Sequence, residues 1–267
     1  MTEQDIRDLI FYRLKGRKYL ARISVQGEGI LSGTQWLRKA CERLGIGLKR
    51  CRKSGTRIRR GDVVATIEGN AKQLALGEEE LIGWISKASG IATAAWRAKT
   101  TVGKDLQVVS GAWKKMPLPL KELVRQAIVD GGIPYRISEK PFIYLDKNYL
   151  KILGGVQKAL FAVKDFKPSI IVVQLKSKGR KLLQEATLAA KWRTDIIMID
   201  TGEKADIERV NLALKEQGLR RKVRLAFAGD ICIEELKSLR KMPVEIIDIG
   251  KAIVDAPLLD MRMDVEG

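Results

Sequence analysis

Short apolar runs alternate with amphipathic stretches along the second half of the chain. Alternation of strand and helix with a period of roughly 25 residues is typical of a parallel sheet with right-handed crossovers, either open or closed as a barrel. About six strands are few for a standard eight-stranded barrel. The predicted strands are residues 106–109, 142–145, 170–173, 196–199, 223–227 and 246–249. The predicted helices lie near residues 120–129, 149–163, 178–192, 205–216 and 233–240.

The first half of the chain lacks this repeat. Residues 6–20 predict a short helical or coil lead-in, and the alternating residues 19–25 predict a strand. Thr34 is predicted to cap a helix over residues 35–44. The elements predicted after it are strands over 46–53 and 57–68, the second interrupted by a turn at Gly61-Asp62 that precedes a buried strand over 63–67. A helix is predicted over 71–101, with a break near Ser89-Gly90.

Asp200 ends an apolar run that reads as a buried strand. Four apolar residues lie between Asp195 and Asp200, and Thr201-Gly202 breaks the run. A carboxylate at the carboxyl end of a buried parallel strand faces the crevice where α/β proteins bind ligands. Position alone makes a helix cap or loop residue an equal alternative. The recurrence of polar strand ends along the chain favours a site.

The other predicted strands also end in polar residues or glycine. Such ends, gathered on one face, suit a phosphorylated sugar, because lysines and backbone N–H groups bind phosphate. Carboxylates there would bind hydroxyls or Mg²⁺. The residues at these ends are Lys114, Lys115, Asp146, Lys147, Asn148, Gln174, Asp200, Gly229, Asp230, Gly250 and Lys251.

The composition of the chain excludes several classes of catalytic and metal site. The 267 residues, 45% hydrophobic, are enough for one large domain or two modest ones. The chain has no histidine, which excludes Ser-His-Asp and Cys-His triads and histidine-bound metals. Three scattered cysteines form no metal or disulfide pattern, so we expect a reducing cytoplasm. The apolar runs are too short to span a membrane, and the polar start is not a secretory signal.

The chain is strongly basic, with a net charge of +18. This excess favours anionic partners such as nucleic acid, phosphorylated metabolites or anionic membranes. A lysine-rich thermophile surface would give the same excess. Residues 49–60 form the most basic segment and read either as the solvated face of a sheet or as an anion-binding face. Charge alone does not separate these alternatives.

Four elements, in order, resemble the quinolinate and nicotinate phosphoribosyltransferases. Residues 77–93 are similar to the family's acidic helix followed by "SGIAT". Residues 146–155 resemble "KDNH…GG", and residues 195–200 resemble the strand "DIIMLD". Residues 249–260 resemble the ending "VGALTHSAPALD". The resemblance extends from about Ile23 to Met263, nearly the whole chain.

The resemblance implies an α/β fold with an N-terminal α/β sandwich domain and an incomplete parallel α/β barrel of about six strands. The division it suggests is a sandwich with a helical linker over residues 1–104, the barrel with the phosphoribosyl site over 105–250, and a tail over 251–267 that packs back on the sandwich. It implies a homodimer or higher oligomer with a role in pyridine nucleotide (NAD) biosynthesis. The reaction would transfer 5-phosphoribosyl from phosphoribosyl pyrophosphate, with Mg²⁺, to a pyridine carboxylate or related heterocycle.

Site residues carry over unevenly from the family pattern. The "TRK" element falls on Trp113-Lys114-Lys115, and "GGxxHR" ends in Tyr135 and Arg136. The lysine of "KDNH" meets Asp146, with Lys147 and Asn148 next to it. The resemblance implies that Lys114, Lys115 and Arg136 hold the anions, that Gln174 and Asp200 face the ribose or Mg²⁺, with Asp200 as the metal ligand, and that Asp200, Gln174 and Lys115 are the catalytic residues. Gly229 lies in the phosphate-binding "SGG" position, which becomes Ala228-Gly229-Asp230, and Gly250 in the "VG" position.

Glu79 replaces a family arginine that reaches across the dimer to a substrate carboxylate. A like charge there repels a second carboxylate, so we expect discrimination against quinolinate. Changes at Asp146, Gln174 and Asp230 leave an alternative open, a catalytically altered relative that binds a nucleotide or phosphosugar. A further alternative is a nucleic-acid-binding protein that uses residues 49–60.

Overall fold

The computed structural model describes residues 5–104, 106–166 and 169–266, which form two compact units. The first contains the described residues up to Trp96, Met116–Gly132 and the described residues from Asp255 onward. The second contains the described residues of Arg97–Lys115 and Ile133–Val254. The division of the chain at residues 104 and 250 stays a prediction.

The first unit is built around a four-stranded antiparallel sheet. Its strands are β1 (Tyr19–Val25), β3 (Gly47–Cys51), β5 (Val63–Gly69) and β12 (Met261–Val265), in the order β12-β1-β5-β3. A two-residue pair, β2 (Gly29–Ile30) with β4 (Arg57–Ile58), lies apart from it. The helices are α1 (Ile6–Ile10), α2 (Thr34–Leu44), α3 (Ala71–Val102, which continues into the second unit) and α4 (Lys121–Asp130). The tail therefore completes the sheet through β12.

Two predictions for this unit are wrong in detail, and one is confirmed. The predicted turn at Gly61-Asp62 is present (Gly61 φ 86°) and separates β4 from β5 within residues 57–68. Thr34 is the first residue of α2 and not its cap, a position held by Gly33. Helix α3 runs through the predicted break without interruption. Its Gly90 serves close packing, since an added Cβ would lie 2.1 Å from the Pro257 carbonyl oxygen.

The second unit is a six-stranded parallel sheet with the order β6-β11-β10-β9-β8-β7. The strands are β6 (Gln107–Val109), β7 (Phe142–Leu145), β8 (Ile170–Leu175), β9 (Ile196–Asp200), β10 (Arg224–Ala228) and β11 (Ile246–Asp248). The helices that follow these strands along the chain are α5 (Lys147–Leu153), α6 (Val156–Ala162), α7 (Gly179–Lys191), α8 (Lys204–Glu216), α9 (Leu236–Leu239) and α10 (Lys251–Val254). Residues 149–163, predicted as one helix, divide at Gly154 and Gly155, both with positive φ.

The parallel sheet curls around one apolar interior. Residues at alternate positions of five strands form a single buried cluster: Val109, Val172, Ile196, Met198, Ala226 and Ile246, together with Ile137. Phe142 and Tyr144 of β7 pack against it. The sheet order leaves β6 and β7 as the two edges, so the barrel is incomplete. Within the described part of the chain, no helix is long and apolar enough to cross a membrane.

Candidate functional site

Three neighbouring strands of the barrel end at the same level. The hydrogen-bonding register pairs Asp200 with Ala228, and Ala228 with Asp248. Met198 and Ile246, two residues before the aspartates, belong to the buried interior cluster. Because side chains alternate along a strand, both aspartates face the interior as well. Two carboxylates therefore meet at the carboxyl end of the sheet, where α/β barrels bind their ligands.

Asp200 is held by two side chains of β8 and the loop that follows. Gln174 Nε2 donates to Asp200 Oδ2 at 2.6 Å, and Lys176 Nζ lies 2.9 Å from the same oxygen. Gln174 Oε1 in turn accepts from the backbone N–H of Lys147 at 3.3 Å. The structure therefore connects three predicted site residues, Asp200, Gln174 and Lys147, in one hydrogen-bonded chain.

Asp248 is a partly buried carboxyl at the end of β11. Burial raises its pKa, while a hydrogen bond from the Gly111 backbone N–H (2.9 Å) and the nearby charge of Lys114 act to lower it. Gly111 precedes the short 3₁₀ turn Ala112–Lys115, which carries both predicted anion-binding lysines. Asp248 thus fixes the start of the turn that presents Lys114 and Lys115.

Tyr144 lies near Lys114 and the two aspartates. Burial raises the pKa of its phenol, and the charges of Asp248 and Asp200 raise it further. Lys114 Nζ lies 5.7 Å from the centre of the Tyr144 ring. Lys114, Tyr144 and the two aspartates therefore share one electrostatic environment at the barrel mouth.

Tyr135 and Arg136 are attached to the same turn through Trp113. Trp113 Nε1 donates to the Tyr135 carbonyl oxygen at 2.8 Å, and the two rings meet edge to face at 5.9 Å. The Arg136 guanidinium lies over the Tyr135 ring at 5.1 Å.

The remaining predicted positions are loop residues with backbone roles. Asp146 caps α5 by accepting from the N–H groups of Asn148 and Tyr149. As a carboxylate it cannot supply the positive charge of the family lysine. Gly229 has φ 119°, and an added Cβ would lie 2.4 Å from the Gly202 nitrogen, so only glycine fits there. A Cβ added at Gly250 would lie 3.6 Å from the Ala112 Cβ, next to the lysine-bearing turn.

Glu79 lies in the first unit and is not part of the network at the strand ends. It is on α3 and forms an ion pair with Arg7 of α1.

Tyr144, Lys176 and Asp248 belong to the network at the strand ends, but they are not among the site residues predicted from the sequence. The strand pattern could have indicated Lys176 and Asp248, because each lies two residues beyond an inward-facing position of its strand.

The charge next to Asp200 does not fit a bound Mg²⁺. Within residues 5–104, 106–166 and 169–266, no three His, Cys, Asp or Glu side chains are grouped to hold a metal ion without the help of substrate phosphates. The Lys176 ammonium already lies against Asp200 Oδ2, and a divalent cation beside it would be repelled.

The basic segment 49–60 is partly neutralised by acidic neighbours. Lys49 lies 3.2 Å from Glu68, and both Arg52 terminal nitrogens lie 3.1 Å from Asp62. These pairs favour the solvated sheet face among the alternatives that the sequence left open.

Comparison with known proteins identifies the family. The model of the quinolinate phosphoribosyl transferase N-terminal domain matches residues 8–89, and that of the C-terminal domain matches residues 91–264. The chain belongs to the quinolinate phosphoribosyltransferase family. The predicted family is therefore confirmed, and with it the predicted class of function, a phosphoribosyltransferase of NAD biosynthesis.

Curated relatives align along most of the chain. A probable nicotinate-nucleotide pyrophosphorylase (carboxylating) from Archaeoglobus fulgidus is 27% identical, covering 92% of this chain and 93% of the relative. The human nicotinate-nucleotide pyrophosphorylase (carboxylating) is 23% identical, covering 91% and 81%.

Solved structures confirm the predicted fold class. The nicotinate-nucleotide pyrophosphorylase of Pyrococcus furiosus superposes with a TM-score of 0.84 at 24% identity, covering 98% of this chain and 74% of that one. The enzyme of the same name from Francisella tularensis gives 0.83 at 19% identity, covering 100% and 91%. The roles of individual site residues stay predictions.

Proposed function

We propose that the chain transfers the 5-phosphoribosyl group from phosphoribosyl pyrophosphate to the ring nitrogen of a pyridine carboxylate. The bond from C1 of the ribose to pyrophosphate breaks, and a bond from C1 to the ring nitrogen forms. The observation that carries the proposal is the gathering of Lys114 and Lys176 with Asp200, Gln174 and Asp248 at the barrel mouth. The names of the curated relatives support an acceptor of this kind.

The proposed roles of the site residues follow from the charges of the substrate and of the transition state. The transition state resembles an oxocarbenium ion, so the site needs placed charges and donors more than a strong base. Lys114, Lys115 and Arg136 bind the phosphate groups, and Asp200 and Gln174 face the ribose hydroxyls. The remaining predicted residues surround the sugar phosphate, from loops and from the first turn of α5: Tyr135, Lys147, Asn148, Gly229 and Gly250. No step is assigned to Mg²⁺, because the residues around Asp200 do not fit it.

We further propose that the protein works in the cytoplasm as a homodimer. Widely spaced cysteines without a bridge support the compartment. The family resemblance around Glu79, whose counterpart reaches across a dimer, supports the assembly.

The test is pyrophosphate release from phosphoribosyl pyrophosphate, measured with nicotinate, quinolinate and other pyridine carboxylates in turn. We expect release that depends on the acceptor. A matched protein with Asp200→Asn controls for contaminating hydrolases. Release at the same rate without any acceptor would contradict the proposal.

A further inference from the structure

Lys176 follows the last residue of β8, directly beside the end of β9. The register pairs Leu175 with Ile199, so Lys176 and Asp200 are the next residues along two neighbouring strands. The Lys176 ammonium lies 2.9 Å from Asp200 Oδ2, the oxygen that also accepts from Gln174. The Asp200 carboxylate is therefore already paired with a positively charged side chain at the carboxyl end of the sheet.

The Lys176 ammonium is more accessible to solvent than the Asp200 carboxylate. The Lys176 side chain is 44% exposed and the Asp200 side chain 15%. The next residue, Ser177, is anchored through its hydroxyl to Glu185 of α7, which fixes the loop that carries Lys176. A ligand at the barrel mouth therefore meets the lysine before it meets the aspartate.

A positive charge beside Asp200 can neutralise part of the negative charge of a substrate with several phosphate groups. Proteins commonly bind Mg²⁺ through one or two carboxylates together with substrate phosphates, so that the metal bridges the two. Here the position against Asp200 is taken by a lysine, and Gln174 supplies an amide instead of a second carboxylate. Lysine binds phosphate as a point charge without needing a metal.

We propose that Lys176 is a substrate-binding residue that neutralises phosphoribosyl pyrophosphate next to Asp200, where a divalent cation would otherwise bridge carboxylate and substrate. This inference rests on the proposed function. When the substrate binds, the ammonium turns from Asp200 to a substrate oxygen, and Asp200 and Gln174 become available to the ribose hydroxyls. Substrate binding at this site therefore does not require a divalent cation.

The test is calorimetric titration of the full chain with phosphoribosyl pyrophosphate, once in EDTA and once in Mg²⁺. We expect the unaltered protein to bind in EDTA. Lys176→Met should weaken that binding by about tenfold to a hundredfold, as for a lost charge-assisted contact, and Lys176→Arg should restore most of it. Lys181→Met is the matched control, because Lys181 is an exposed lysine of α7 paired with Glu185. We expect it to bind like the unaltered protein.

A double variant adds a readout that a structural role would not move. The double change Gln174→Glu with Lys176→Glu places two further carboxylates beside Asp200, and we expect it to bind the substrate only when Mg²⁺ is present. Thermal melting of each variant confirms that it folds.

The outcomes separate this inference from the proposed function. Binding by the unaltered protein that disappears in EDTA, or binding that Lys176→Met leaves unchanged, would overturn the role of Lys176 alone. Binding in EDTA that depends on Lys176, but without pyrophosphate release to any pyridine carboxylate, would support it and overturn the proposed reaction. No binding in either buffer would overturn both.

Discussion

Asp248 shows how one residue at the barrel mouth is set by its surroundings. Its carboxyl is partly buried, and the hydrogen bond that it accepts from the Gly111 N–H holds the turn that carries two lysines. The sequence marks a polar residue after two isoleucines, but it does not reveal the depth of burial. That depth depends on the register between β11 and its neighbours, which only the folded sheet fixes.

Burial of Asp248 predicts a pH-dependent contribution to stability. Its pKa is raised above the ordinary value of 3.8, so the folded state keeps the proton to a higher pH than the unfolded state. The stability contributed by this group is full below about pH 3.8 and is lost as pH rises through the raised pKa. Asp248→Asn keeps the acceptor for Gly111 and should therefore be more stable than the unaltered protein at neutral pH.

The measurement is thermal or urea unfolding of both proteins at several pH values. We expect the advantage of Asp248→Asn to shrink as the solution is acidified. A variant that is less stable by the same amount at every pH would show that the carboxyl is not protonated preferentially in the fold.

Arg136 gives a second prediction at this scale. Its guanidinium is exposed and lies over the Tyr135 ring, connected through Trp113 to the lysine-bearing turn. Arg136→Ala should weaken binding of phosphoribosyl pyrophosphate by about 1.5–3 kcal/mol, the usual value of a hydrogen bond to a charged group. Calorimetry checks this, with Arg136→Lys as the variant that keeps the charge. Unchanged affinity for Arg136→Ala would remove this residue from the site.

At the scale of elements, the bounds of strands that depend only on the local pattern of apolar and polar residues are predicted correctly. Strands β1 and β7 begin and end where the alternation and the apolar run place them. The turn at Gly61-Asp62 between β4 and β5 is likewise predicted from its residues. The partners of these strands, β2 for β4 and β1 for β5, depend on distant contacts that no local pattern specifies. Likewise, the Lys176–Asp200 ion pair depends on the register of β8 and β9.

Helix α3 provides a test of one such contact. Gly90 looked like a helix break, but an added Cβ there would lie 2.1 Å from the Pro257 carbonyl oxygen and 3.0 Å from the Leu258 Cα. Backbone atoms cannot move aside cheaply, so Gly90→Ala should destabilise the fold by about 1–3 kcal/mol. Gly83→Ala on the same helix meets nothing within 4 Å and should stabilise it by up to about 1 kcal/mol.

Urea unfolding of these two alanine variants measures both effects. Equal free energies of unfolding for Gly83→Ala and Gly90→Ala would mean that the tail does not pack against α3 at Gly90.

For the whole molecule, the net charge of +18 draws any anion, but that attraction is long-ranged and screened by salt. Choice among acceptors therefore depends on contacts. The sequence placed a carboxylate, Glu79, where the family has an arginine for a second substrate carboxylate. It did not reveal that Glu79 pairs with Arg7, because that contact joins α1 to a helix far along the chain.

Glu79→Arg should raise the affinity for quinolinate relative to nicotinate, since it removes a negative charge and adds a partner for the second carboxylate. Glu78→Arg makes the same change of net charge one residue away and serves as the control. Competitive binding of the two acids measures the ratio. An equal shift in both variants would attribute the effect to overall charge, and efficient turnover of quinolinate by the unaltered protein would contradict the role given to Glu79.

The most direct measurement is the stoichiometry of a single reaction mixture. The protein is incubated with phosphoribosyl pyrophosphate and a pyridine carboxylate, and pyrophosphate and pyridine nucleotide are quantified together. Phosphoribosyl transfer at the barrel mouth predicts equal amounts of the two products, with both abolished in a folded Asp200→Asn variant. Pyrophosphate without nucleotide, or undiminished transfer by Asp200→Asn, would contradict the account.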